Sequence, residues 1–151
     1  MSINNFQNDL AQSEVGVNKL VELLVNKGAK DIELCTNKDF DVAYTNSLAQ
    51  RVTIEVKEDS LYLKTGNVAI EYAQWGNPTG ISSSKAEYYV YKLSNDFFSI
   101  KRERLQEKIN QSLEAKESRT RSFFDKQNQN KKIDVYLIPA TVFTGWCKQL
   151  S

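Results

Sequence analysis

The chain contains no histidine, and this absence excludes several kinds of catalytic site. A Ser-His-Asp triad, a Cys-His pair and a zinc site built on imidazole all require that residue. The two cysteines, Cys35 and Cys147, are too few for an all-thiolate zinc site. They favour free thiols in a reducing compartment over a disulfide framework, although one bridge is compatible with the count. Chemistry is therefore expected from carboxylates, lysines, hydroxyls or a metal ion held by oxygen.

Long apolar runs are also missing. No stretch approaches the length of a membrane span, and the first residues, MSINNFQNDLAQ, have neither a basic n-region nor an apolar h-region. We therefore expect no membrane segment, no secretory signal and a cytoplasmic location. The 151 residues, 40% hydrophobic and 26% charged, are ordinary for one domain with its own core, which we take to cover residues 1–151.

The chain has almost no excess of positive over negative charge, with a net charge of +1. Its distribution is uneven, because residues 101–132 hold ten Lys or Arg and five Asp or Glu, a local charge of +5 that leaves −4 elsewhere. This asymmetry favours one acidic site and one basic docking surface. The alternative is a solvated helix of mixed charge.

Hydrophobic periodicity predicts a mixed β-sheet flanked by helices, an α/β or α+β fold in a single domain. Predicted strands cover residues 30–37, 40–46, 51–59, 67–75, 88–93 and 132–143. Predicted helices cover residues 6–27 and 97–118, the second with Leu105, Ile109 and Leu113 as its apolar stripe. Residues 121–132 are polar and predicted to be mobile, and residues 143–150 to form a short turn or helix.

The stretch RVTIEVKED, residues 51–59, places a carboxylate and an ammonium group on one face of a strand, at Glu55 and Lys57. Asp41 lies on the preceding predicted strand, with thirteen residues between it and Glu55. If the strands are neighbours, these side chains converge at one edge of the sheet. Two carboxylates suit Mg²⁺ or Mn²⁺, which polarises phosphate and activates water, and Lys57 can orient that water or stabilise the developing charge. The alternative is an exposed face with weak ion pairs.

The runs FDV and IEVK, preceded by a helix that ends at Gly28, resemble the PD-(D/E)xK nuclease superfamily, which includes Holliday junction resolvases and many phage and restriction-type nucleases. TGNVAIEYAQWGNPTGISSSKAEYYVYKL is similar to a segment of small phage-type nucleases of this group, and IDVYLIPATVF to their final strand. The resemblance covers residues 12–143. It implies a restriction-endonuclease-like core: a helix, a mixed sheet of three or four strands, then a helix and a strand.

The same resemblance implies a metal-dependent DNA endonuclease. Asp41 and Glu55 would bind Mg²⁺ or Mn²⁺, and Lys57 would be the catalytic lysine. A homodimer and a phage or mobile-element origin in a bacterial cell would fit such an enzyme. Phe40 stands where the family usually has proline, a change that the superfamily tolerates.

Further metal ligands are less well specified. The helix of this family often adds a glutamate near the metal, and the candidates here are Glu14 and Glu22. Glu14 is favoured, because Glu22 lies in mid-helix among valine and leucine, where a solvent-facing position explains it more simply. Glu71 shares its strand face with two alanines and is either a third acidic ligand, a group that positions water, or a plain surface glutamate.

Substrate contacts are predicted outside the acidic site. Lys85, with Ser83 and Ser84 at a helical turn, can bind a phosphate, or this stretch is only a capping loop. Arg119 and Arg121 are candidates for phosphate contacts, or are solvated charges. The remaining basic candidates are Arg102, Arg104, Lys131 and Lys132. Trp75 is predicted to be a half-buried core residue rather than a base-stacking one, and most of Tyr88, Tyr89 and Tyr91 to be core.

Two rival functions stay open. A catalytically silent nuclease-fold protein would be a DNA-binding or inhibitor protein. It would bind DNA but would not cut it, whichever metal ion is added. A structural or interaction protein would use its sheet face for another protein, and neutralising the basic segment would leave its binding unchanged. Fold resemblance alone does not choose among these and the enzyme.

Overall fold

The structure is a computed structural model, and it describes residues 16–35 and 40–150. These residues form an α+β unit with a mixed sheet and helices, which confirms the coarse fold class predicted from the pattern. The described helices are α1 (16–26), α2 (Tyr62–Thr65), α3 (Arg102–Glu114) and α4 (Ala140–Trp146). Within the described residues, no helix is both long and apolar enough to cross a membrane.

The strands belong to two sheets. They are β1 (Lys30–Leu34), β2 (Val42–Thr45), β3 (Arg51–Glu58), β4 (Asn67–Gln74), β5 (Asn77–Pro78), β6 (Tyr88–Leu93), β7 (Asp96–Lys101), β8 (Arg119–Asp125), β9 (Lys131–Pro139) and β10 (Lys148–Gln149). The first sheet has the order β1-β2-β3-β6-β7-β10 and is antiparallel except where β3 meets β6. The second has the order β5-β4-β9-β8 and is antiparallel throughout.

The six-stranded sheet is covered on both faces. On one face Val42 and Ile54 pack with Leu20 and Leu24 of α1. On the other face Tyr89, Tyr91 and Leu93 of β6 and Ile100 of β7 pack against the second sheet, α3 and α4, with Phe143 fully buried among them. Because side chains alternate along a strand, β3 sends Ile54 towards α1 and Glu55 towards the opposite face.

The crossover between β3 and β6 differs from the core that the resemblance implies. A parallel pair needs a long connection, which is usually a helix. Here the chain forms the four-residue α2, then β4, β5 and a 3₁₀ turn at Gly80–Ser82 before it enters β6. The longer helix α3 follows β7 instead. One wall of any site on the β3–β6 face is therefore built by strands of the second sheet.

Several predicted boundaries are wrong. Residues 97–101 belong to strand β7 and not to the second helix, because Phe97 packs on the α1 side and Phe98 and Ile100 on the other. The helical stripe itself is confirmed, with Leu105 and Ile109 fully buried.

Of the segment 121–132, predicted to be mobile, residues 131–132 belong to β9 and residues 121–125 to β8, six of whose seven residues are exposed. Strand β8 lies at the sheet edge, where pairing with β9 on one side stabilises it without burying its side chains. The last long strand ends at Pro139, and α4 begins directly after it.

Candidate active site

The β2–β3 hairpin brings Asp41 beside Glu55. Val42 pairs with Ile54 in the antiparallel register, so the position before Val42 lies opposite the position after Ile54. The backbone N–H of Asp41 donates to the carbonyl oxygen of Ile54 at 2.9 Å. One carboxylate oxygen of Asp41, Oδ2, accepts the N–H of Val56 at 2.7 Å. The predicted convergence of the two acidic residues is therefore present and is held by backbone contacts.

Glu55 and Lys57 lie two residues apart on one face of β3. Lys57 Nζ is 3.5 Å from Glu55 Oε1, and their side chains are 42% and 21% exposed. Burial raises the pKa of the Glu55 carboxyl above its usual range, and the charge of Asp41 raises it further. The charge of Lys57 and its hydrogen bond act in the opposite direction without cancelling the rise. Two carboxylates and one ammonium group are thus coupled in a half-buried setting.

Two tyrosines of β6 flank this group. In the parallel register Glu55 pairs with Tyr89 and Lys57 with Tyr91, so all four share one face. Burial raises the pKa of Tyr89 to about 12, with the charges of Glu55 and Asp41 as further causes, while a contact with Ser84 and the charge of Arg102 lower it. Despite the contact with Ser84, the Tyr89 hydroxyl makes no hydrogen bond of good geometry within the described residues. These rings close the back of the site.

The opposite wall of the site comes from β4. Lys57 and Glu71 line a cleft of about 310 Å³ together with Tyr89, Tyr91 and the 3₁₀ turn. Glu71 Oε2 accepts a hydrogen bond from Gln74 Nε2 at 3.2 Å. Glu71 therefore lines the same cleft as Lys57, but the described residues contain no group of three or more carboxylates or thiols that would surround one cation. Glu71 as a direct ligand stays a prediction.

The 3₁₀ turn is held close to β4 by Gly80, which adopts a φ of +53°. A Cβ atom at this position would lie 2.1 Å from the backbone oxygen of Glu71. Only glycine permits both the left-handed backbone and this close approach. The position of the cleft wall therefore depends on this residue.

Asp41 borders a different, smaller cleft, which contains Gly16, Cys35 and Lys92. Gly16 is the first described residue of α1. Glu14 lies outside the described residues, so its role as a ligand stays a prediction. Glu22 is exposed, which confirms the solvated face expected for it. Cys35 and Cys147 are both free thiols, as predicted.

The loop of Ser84 and Lys85 differs from the predicted phosphate site. The helical turn is the 3₁₀ turn at Gly80–Ser82, so it ends before Ser84 and cannot be capped by it. Ser84 Oγ accepts the N–H of Ala86 at 3.3 Å, and Lys85 is exposed. The loop therefore offers a cation and a hydroxyl near Tyr89, without the N–H groups of a helix start.

Two further predictions concern the second sheet. Arg119 and Arg121 are exposed on β8, and they line a cleft that adjoins the one at Lys57. Trp75 is 57% exposed and contacts the Phe124 ring edge-on at 5.9 Å, so its assignment to the core is wrong. The turn between β4 and β5 carries it past the end of the packed layer. Tyr89 and Tyr91 are buried, as predicted.

Sequence reasoning missed the placement of Tyr89 and Asp59 at the site. Tyr89 joins it only through the parallel pairing of β3 with β6, which no local pattern reveals. Asp59 follows β3 and accepts the backbone N–H groups of Leu61 and Ala69, each at 3.0 Å. The Asp-x-Leu spacing is a possible signal for the first of these bonds, because aspartate commonly bonds to the backbone two residues later.

Comparison with models of known families, with curated proteins and with solved structures gives no match. The function is therefore inferred from the residues and geometry of this chain.

Proposed function

We propose that this protein is a metal-dependent endonuclease that hydrolyses phosphodiester bonds in DNA. The observation that carries the proposal is the group on β2 and β3: burial and then the charge of Asp41 raise the pKa of Glu55, and Lys57 lies 3.5 Å from Glu55. A carboxylate with a perturbed pKa and a nearby cation beside a cleft is typical of catalytic sites. The resemblance of FDV and IEVK to PD-(D/E)xK nucleases supports the same roles.

The donor set fits Mg²⁺ or Mn²⁺, which prefer carboxylate oxygen ligands. Asp41 and Glu55 would hold the ion, and a cation between them would relieve the repulsion that raises the pKa of Glu55. Asp41 Oδ2 is engaged by Val56 N–H, which fixes the carboxylate and leaves its second oxygen for an ion. When bound, such an ion supplies a more acidic water and positive charge at the phosphate.

The chain's own groups complete the chemistry. Lys57 donates hydrogen bonds to the oxygens of the phosphate as negative charge develops on them, or holds the attacking water. Its ion pair with Glu55 keeps the ammonium group beside the carboxylates. Tyr89, buried behind Glu55, excludes water from the back of the site. Glu71 lines the same cleft as Lys57 and is the candidate for positioning a water there.

The proposal is tested by a cleavage assay on plasmid DNA and on synthetic four-way junctions with Mg²⁺, Mn²⁺ or EDTA. We expect metal-dependent cutting by the wild type and a loss of about 100-fold or more in Lys57→Ala and Glu55→Ala. Glu33→Gln is a matched control, since Glu33 forms an exposed ion pair with Arg51 at 3.1 Å and lies on a different strand. It should cut at the wild-type rate.

DNA binding without cutting in any metal would support the silent nuclease-fold protein instead. Equal activity in Lys57→Ala and the Glu33→Gln control would remove Lys57 from the mechanism. Light scattering would test the homodimer, which would bring two such sites to one duplex.

A further inference from the structure

A second cleft, of about 490 Å³, adjoins the candidate active site. It lies on the face of the four-stranded sheet that carries Val135 and Leu137. Asp59, Leu61 and Ala69 line both clefts, so the two form one continuous depression that starts at Lys57. We call the second part, with its wall of Arg119, Arg121 and Phe123, the β8 groove.

The wall of the β8 groove follows from the alternation of side chains along β8. Arg119, Arg121 and Phe123 point to one face, and they pair with Leu137, Val135 and Ile133 of β9. The two arginine side chains therefore leave the backbone about 6–7 Å apart, above an apolar floor. The Phe123 ring stays 41% exposed beside them.

The groove complements a polyanion. Both arginines are exposed, and they belong to the segment 101–132 with its local charge of +5. Asp59 is the acidic residue that lines both the β8 groove and the active-site cleft. Its two carboxylate oxygens each accept a backbone N–H, from Leu61 and Ala69, which disperses the negative charge.

The floor of the groove favours an unpaired strand over a duplex. A duplex hides the faces of its bases and presents phosphates and sugars to a flat surface. An unpaired strand presents both phosphates and base faces, and base–aromatic stacking beside basic residues is how proteins bind it. Apolar Val135 and Leu137 with the exposed ring of Phe123 supply the surface that base faces require, and the arginines supply the phosphate contacts.

We propose that the β8 groove binds an unpaired nucleic-acid strand and leads it to the cleft at Lys57, so that the substrate carries a single-stranded segment next to the bond that is cut. The proposal rests on the endonuclease function for the cutting step. Binding in the groove is independent of that step, and the two can be measured separately.

The test is fluorescence anisotropy in EDTA, where no metal-dependent cutting occurs, with a labelled oligonucleotide and a blunt duplex of the same length. We expect the single strand to bind more tightly than the duplex. Arg121→Gln should weaken single-strand binding and reduce the slope of log affinity against log salt by about 0.7. Phe123→Leu should weaken it about 5-fold or more, the loss of one stacked base.

Two controls match these variants. Phe124→Leu changes the next residue on β8, whose ring points to the opposite face and packs on Trp75. Lys148→Gln removes one exposed positive charge from β10 on the other sheet. Both should bind the single strand as the wild type does. Arg121 and Phe123 are exposed, so their variants should fold, and circular dichroism checks this.

Equal affinity for duplex and single strand would overturn the inference, as would affinities of Arg121→Gln and Phe123→Leu equal to those of the controls. A dimer that Phe123→Leu dissociates, with oligonucleotide binding unchanged, would assign the face to a second copy of the chain and also overturn it. Single-strand preference without cutting in any metal would support the groove and refute the endonuclease. Metal-dependent cutting without single-strand preference would support the endonuclease and refute the groove.

Discussion

Replacement of Glu55 by glutamine tests whether the acidic group is built for function or only for surface charge, because the two accounts predict opposite changes in stability. The side chain keeps its shape and loses its charge. Burial and the charge of Asp41 both oppose ionisation of Glu55 in the folded chain, and Lys57 offsets them only in part. The ionised carboxylate therefore lowers the free energy of unfolding, and we expect the variant to be more stable than the wild type at neutral pH.

The size of the effect follows from its two components. Like charges on directly opposed strand positions cost about 0.2–1 kcal/mol. The lost ion pair with Lys57 is worth little, since its atoms are 3.5 Å apart and the lysine side chain is 42% exposed. We expect a net gain of about 0.5 kcal/mol in the free energy of unfolding.

The gain depends on pH with a definite sign. A carboxyl whose pKa is raised in the folded state binds its proton more tightly there, so the wild type loses stability as pH rises from the unfolded pKa, 4.5, through the raised folded value. Above that value the loss is complete. Glutamine does not titrate. The two proteins should therefore converge in stability below pH 4.5 and differ fully above the folded pKa.

Urea denaturation in metal-free buffer between about pH 4 and pH 8 measures this difference. Glu58→Gln is the matched control on the same strand, because Glu58 pairs with Lys92 at 3.1 Å and that lysine is only 15% exposed. This control should lose stability. If Glu55→Gln loses stability as well, Glu55 and Lys57 form an ordinary stabilising pair, and the electrostatic basis of the proposed site is refuted.

Two more predictions follow from the packing around the site. Gly80→Ala should lower the free energy of unfolding by about 2 kcal/mol or more, because its Cβ would clash with the backbone of Glu71. Thermal melts measure this loss. Gly145→Ala is the control, because Gly145 lies in a helix with open space around it, and this variant should gain about 0.5–1 kcal/mol. Burial raises the pKa of the Cys147 thiol to about 12 from 9.0. In a Cys35→Ser variant Ellman's reagent should therefore label the folded chain at least about 10-fold more slowly than the chain in urea, and equal rates would contradict this burial.

The acidic half of the site was predictable because its determinants are local. Alternation in FDVAYT and RVTIEVKE defines two strands, and a short connection between them makes an antiparallel hairpin the simplest pairing. That pairing alone brings Asp41 beside Glu55. The buried faces of β3, β4 and β6 were predictable for the same reason.

The rest of the site and of the fold could not be predicted from local patterns, because it depends on pairing between strands that are distant in sequence. Tyr89 lies beside Glu55 through the parallel pairing of β6 with β3, and Glu71 shares a cleft with Lys57 only because the chain enters the second sheet at β4. Strand β8 carries no burial pattern, since its side chains are exposed on both faces, and it becomes a strand through hydrogen bonds to β9. The sequence pattern predicts a helix over strand β7, because apolar residues on both faces of that strand continue the apolar spacing of α3.

The detour of the chain through the second sheet also sets the order in which the protein can be completed. Asn67 of β4 pairs with Pro139 of β9, and Gln74 with Ile133, so the cleft wall gains its partner only when the chain has been made beyond these residues. Pairings so distant in sequence form slowly, because a long loop must close first. During synthesis the residues of the hairpin that holds Asp41 and Glu55 are therefore complete before the strand that supports the opposite wall. We expect the assembled cleft to be among the last features to form, and a chain shortened before β9 to keep the acidic residues but lack the support for the opposite side.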